Sequence, residues 1–119
     1  MLGDLETLRA AVRDFQHNAD LDSVDPKELS GVVDSLQGTL CQVVNRARKR
    51  GDHLLTGQTA CSWVARTCAM SKNSAGDRLC LGEQLEEMPR VAESLSAGGI
   101  GYQAASVICH LHVGESLAS

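Results

Sequence analysis

Apolar residues recur at three- and four-residue steps along most of this 119-residue chain, and no stretch alternates as a strand does. Leu2, Leu5, Leu8, Val12 and Phe15 mark one face of a first amphipathic helix, which His17-Asn18-Ala19-Asp20 ends. Asp25-Pro26-Lys27-Glu28 then reads as a helix start, with Asp as N-cap, Pro at the first helical position and Glu closing a capping box. Leu29, Val33, Leu36, Leu40, Val43 and Ala47 follow in alternating steps of four and three. This heptad-like seam predicts a helix of nearly seven turns, reaching Arg50 and capped by Gly51. Two apolar-striped helices joined by a short link imply a helical hairpin over residues 2–51.

The second half carries shorter periods. Thr59 is an N-cap for a helix from Ala60 to about Ala69, Met70-Ser71-Lys72 makes a turn, and a further helix runs from about Asn73 to Glu87. Pro89 stops that helix and opens the next, because the residue before a proline avoids the α region. Gly98-Gly99 ends this short helix near Ala97, and Tyr102 begins a last helix through about His112. Residues 56–113 thus form a bundle of about four short helices, and residues 114–119 a frayed tail. The expected fold is all-α: one domain over residues 1–119, a long antiparallel helical hairpin followed by the bundle.

Composition agrees. The chain is long enough to bury roughly two thirds of its unfolded surface. With one Trp, one Tyr and one Phe, its core must be aliphatic. The formal net charge of -4 runs against a strong nucleic-acid binder, which normally carries a basic excess. The charge is uneven, however. Arg46, Arg48, Lys49 and Arg50 form a basic run, whereas Glu83, Glu86 and Glu87 form an acidic patch. The five cysteines (41, 61, 68, 80 and 109) include no CxxC pair, and no signal sequence or membrane-spanning apolar run is evident. A soluble cytoplasmic protein with reduced thiols is the expectation.

Val64, Ala65, Ala69, Met70, Ser71 and Ala75 stand at the spacing of a helix-turn-helix unit. Lys72, Asn73 and Ser74 would open its second helix on an exposed face, with Arg78 one turn further along. These four, with Arg46, Arg48, Lys49 and Arg50 as phosphate contacts, are the candidates for touching double-stranded DNA. Ala69 sits where such units most often place glycine, and an alanine in the left-handed region is strained. A plain helical corner is the competing reading. The seam of Leu29, Val33, Leu36, Leu40 and Val43 exceeds what a small domain can cover, and makes a homodimer the competing partner.

Cys109 and His112 share a helix face, but Cys61, Cys68 and Cys80 supply no characteristic ligand spacing, so neither a metal nor another cofactor is expected. No catalytic constellation stands out, since adjacent helical residues such as Cys109 and His110 point apart. Gly98-Gly99-Ile100-Gly101 is a turn lacking the preceding strand of a phosphate loop, and no small-molecule ligand is evident.

Gly57, Thr59 to Val64, Met70-Ser71, Ala75, Leu85 to Pro89, Leu95 to Gly98, Ile100 and Ala104-Ala105 together resemble domain-of-unknown-function family 222. The likeness covers about Leu29 to His112, and Gly101 departs from it where the family usually has Ser. The resemblance implies a helical accessory domain, in actinobacterial proteins, ahead of an HNH endonuclease module. No HNH motif stands in these 119 residues, so nuclease activity is not carried over and no enzyme is expected. The leading expectation is a non-catalytic, DNA-associated accessory domain. The alternatives are a protein-interaction or dimerisation module and the N-terminal part of a longer nuclease.

Overall fold

The computed structural model describes residues 4–118, with side chains described for 4–114; Leu2, expected in the first stripe, lies outside them. The fold is all-α. The helices are α1 (Leu5–Asn18), α2 (Pro26–Arg50), α3 (Ala60–Thr67), α4 (Lys72–Glu87), α5 (Pro89–Ser96) and α6 (Tyr102–Ala118). Single 3-10 segments at Leu21–Ser23 and Asp52–Thr56 link α1 to α2 and α2 to α3.

Local chemistry sets the helix ends. Asp4 Oδ1 accepts the Glu6 and Thr7 amides at the start of α1. Asp25 Oδ1 accepts the Lys27 amide at 2.9 Å with Pro26 behind it, in place of the reciprocal box expected with Glu28. Gly51, at φ +79°, closes α2 in the left-handed conformation that glycine adopts without strain. α6 continues through Gly114 to Ala118 where a frayed tail was expected. One helical glycine costs only about 1 kcal/mol, and Glu115 to Ala118 contain no breaker.

The α3–α4 corner forms at the residues anticipated, with the first helix ending two positions early and the second starting one position early. α3 ends at Thr67, and Lys72 already belongs to α4. Ala69 takes φ +52°, the left-handed position that its place in the motif implied. The Met70 amide then reaches back to the Ala65 carbonyl at 2.9 Å, closing a Schellman turn, and Ser71 Oγ caps α4 by accepting the Ser74 amide at 3.0 Å.

α4 is the central helix, packed by α2, α3, α5 and α6. It runs parallel to α2: Gln37 meets Arg78, Asn45 meets Gly82 and Glu86, and Lys49 meets Glu86. Two apolar clusters result. Cys41, Leu81, Leu85, Leu95, Ala105 and Cys109 join α2, α4, α5 and α6, while Val44, Val64, Ala75 and Leu79 join α2, α3 and α4.

The face that α2 buries is not the heptad seam. Gly38, Cys41, Val44 and Asn45 are buried, whereas of the seam Leu29, Val33, Leu36 and Val43 are exposed, Leu40 leans into a cluster and Ala47 alone is buried. Close approach decides this choice. A Cβ on Gly38 would stand 2.7 Å from Leu95 Cδ2, and one on Gly82 would stand 2.6 Å from Asn45 Cβ, so small residues let the helices nest where the seam's branched side chains would hold them apart.

α1 contributes no buried residue. The radius of gyration, 15.9 Å, exceeds the roughly 13.5 Å of a compact chain of this length. Among the described residues, no helix is long and apolar enough to cross a membrane.

Candidate interaction surfaces and a polar site around Asp77

At the α3–α4 corner, Lys72 and Asn73 are exposed, while Ser74 is half-buried with its amide held by Ser71. Arg78 does not join them on the surface. Its guanidinium donates to Gln37 Oε1 at 3.2 Å, approaches Asp77 at 4.0 Å and lies 5.1 Å from the Tyr102 ring centroid. It works inside the junction of α2, α4 and α6.

The basic run at the end of α2 is largely paired. Lys49 Nζ bonds both Glu86 carboxylate oxygens at 2.9 Å, Arg50 bonds Asp52 at 2.9 Å, and Arg48 donates to the buried Asn45 Oδ1 at 2.8 Å. Lys49 holds the Glu86 carboxyl below its ordinary value. Arg46 remains exposed. The parallel register puts Lys72 level with about Gly31, roughly 20 Å along α2 from Arg46. The two groups of DNA candidates are not brought together.

The N-terminal half of α2 instead forms one wall of an open cleft of about 670 Å³, to which the seam contributes Leu36. Leu8 of α1 lines it opposite Val32 and Leu36, and Ser96, Ala97 and Gly98 close one end. Leu8 and Leu36 lie at equal sequence distances from the Leu21–Ser23 turn and line the same cleft. The pair is open, however. Leu5 is 61% exposed, Val32 57%, Val43 55% and Val33 49%, and Val12 and Phe15 also face out.

A second arrangement joins α4 to α6. Tyr102, Ser106 and His110 recur every four residues on α6, and all three turn to the Asp77 carboxylate. The Tyr102 hydroxyl donates to Oδ2 at 2.5 Å, Ser106 Oγ donates to Oδ1 at 2.8 Å, and His110 Nε2 lies 2.9 Å from Oδ1. Burial works to raise the Asp77 carboxyl, but the hydrogen bonds from Tyr102, His110 and Ser106 outweigh it and leave it below the usual value. Burial, then the bond to Asp77, push the Tyr102 phenol far up. Cys80 Sγ lies 3.9 Å from His110 Nδ1, and Cys41 Sγ lies 4.0 Å from the Tyr102 hydroxyl. Burial raises the Cys41 and Cys109 thiols to about 11. Of the pair weighed as metal ligands, Cys109 is fully buried, and His112 bonds Gln84 across to α4.

Sequence reasoning missed this site, although the i, i+4, i+8 polar row on an otherwise apolar helix was its signal. The row lies in the part of the chain where a family model matches. The model Domain of unknown function (DUF222) covers residues 25–113, close to the span of the sequence resemblance. The chain belongs to this family. No curated protein and no solved structure matches the chain. Within the DUF222 match lie the whole α2 seam, the α3–α4 corner and every partner of Asp77, whereas α1 precedes it.

Proposed function

We propose that this DUF222 chain is a dimerisation module that joins two copies through the α1–α2 face. The observation that carries this reading is the seam itself, four of whose five candidate residues stand exposed, as do Leu5, Leu8, Val12 and Phe15 of the α1 stripe. The exposed parts of Leu5, Leu8, Val12, Phe15, Leu29, Val32, Val33, Leu36 and Val43 amount to on the order of 700 Å², comparable with the roughly 800 Å² that each partner of a stable dimer buries. Large apolar patches of this kind mark interaction sites on soluble proteins.

A second copy suits this surface. A two-fold axis brings like patches together, and the hairpin carries both signs of charge beside the stripe: Glu6, Arg9, Arg13 and Asp14 on α1, and Lys27 and Glu28 on α2. Two such hairpins close as a four-helix layer, with each copy filling the other's cleft. In a longer protein with an HNH module, this pairing would bring two modules together on one duplex. The deciding variant is Val33→Glu with Leu36→Glu. Both side chains are exposed in the monomer, so the fold is retained while the dimer is lost; a double variant still dimeric at the same concentration overturns the proposal.

DNA contact is the second reading, favoured by the exposure of Lys72 and Asn73 at the corner and of Arg46 on α2. It expects binding to a random duplex that weakens steeply with salt and drops for Lys72→Ala with Arg46→Ala. Unchanged binding in that variant removes the corner as a reader. Arg78→Ala is the poorer probe, because it disturbs the core junction.

A further inference from the structure

We infer that Cys80 is a reactive thiol whose general base is His110, and that its ligand is a small, neutral carbon electrophile such as an α,β-unsaturated carbonyl compound. The geometry has three parts. Cys80 Sγ stands 3.9 Å from His110 Nδ1, within reach of a sulfur hydrogen bond. The other ring nitrogen, Nε2, is 2.9 Å from Asp77 Oδ1. An ionised carboxylate only accepts hydrogen bonds, so in the neutral ring the proton sits on Nε2 and the lone pair of Nδ1 faces the thiol. A nucleophile, a base and a group that orients the base stand in line, spanning α4 and α6.

The other thiols lack this arrangement. Cys41 and Cys109 are fully buried, and the Cys61 thiol donates to the Lys72 carbonyl at 3.2 Å. Cys80 is half-buried and His110 is about half exposed, so a small ligand can reach the pair. Burial, then Asp77 and Glu83, raise the Cys80 thiol. The thiol therefore rests protonated and depends on a base to react. The same two carboxylates disfavour anionic ligands, and an uncharged electrophile meets no such penalty.

The step balances without a co-reactant. The Cys80 proton moves to His110 Nδ1 as Sγ bonds to the β-carbon. The carbon–carbon π pair shifts to give an enolate, and His110 returns the proton to the α-carbon.

N-ethylmaleimide is the test reagent, used substoichiometrically on the full chain with each cysteine's labelling followed by peptide mapping. Cys80 is expected to label about tenfold or more faster than Cys61 or Cys68 at pH 7, a modest share of what general bases contribute. His110→Gln should abolish the advantage while Cys61 and Cys68 keep their rates, which separates a lost base from a disturbed fold. A wild-type Cys80 that labels no faster than Cys61 and Cys68, or whose rate climbs only in the thiol range above about pH 8.5, overturns the inference without any variant.

Discussion

Gly82 of α4 sits directly against the Cys41 carbonyl of α2, and a Cβ at position 82 would overlap that oxygen and press on Asn45 Cβ. This contact sets the α2–α4 spacing, and with it the choice of the small-residue face over the seam.

Gly82→Ala should therefore destabilise the fold by about 3 kcal/mol, the upper part of the usual overpacking range. The comparison is Gly76→Ala on the same helix, where the nearest atom to an added Cβ is Cys61 Sγ at an ordinary 3.8 Å. There the helix-propensity gain is unopposed, and stability should rise by about 0.5–1 kcal/mol. Urea denaturation of the two variants checks the pair; equal effects would mean that the close approach is not what sets the spacing.

Ala69 holds φ +52° between α3 and α4. The left-handed region costs a non-glycine residue roughly 1–2 kcal/mol, part of which glycine returns through its looser unfolded state. Ala69→Gly should raise the denaturation midpoint by the equivalent of about 0.5–1 kcal/mol. A fall in the midpoint would contradict the strain.

The helix boundaries were legible because they rest on local chemistry: Asp25-Pro26, Gly51, Thr59, Pro89 and Gly98 each act on their own neighbours. The α3–α4 corner was legible for the same reason, down to the left-handed position at Ala69. The buried face of α2 was not. Hydrophobicity favours Leu29, Val33 and Leu36, but packing favoured Gly38 and Cys41, whose value depends on the distant Leu95 and Gly82 respectively. Arg78 misled for a related reason. Its charge suggested a surface role, and only the fold shows Gln37 and Tyr102 enclosing it. The Asp77 site needs α4 and α6 side by side, a long-range fact that no single segment contains.

Asp77→Asn tests how α6 is held. Replacing a carboxylate that takes three hydrogen bonds should cost about 2 kcal/mol at neutral pH. The folded carboxyl titrates below its unfolded value, so its contribution is fully present above about pH 4 and is lost as the pH falls through the folded value. The wild-type advantage over Asp77→Asn should accordingly shrink as the pH falls below about 4, as read from urea midpoints. A gap independent of pH would place the loss in packing and not in the charge.

Lys49 and Glu86 form the exposed ion pair between the ends of α2 and α4. Lys49→Ala should change stability little, and less still in high salt. The same salt titration, followed by thermal melting, separates this surface pair from the salt-insensitive Gly82 contact.

The most direct test of the dimer is the mass of the wild-type chain in solution, measured by light scattering coupled to size exclusion across a hundredfold range of loading. The α1–α2 face predicts a mass that climbs with concentration from the 12.7 kDa of one chain to twice that value and stops there. A mass that stays at 12.7 kDa throughout would contradict it.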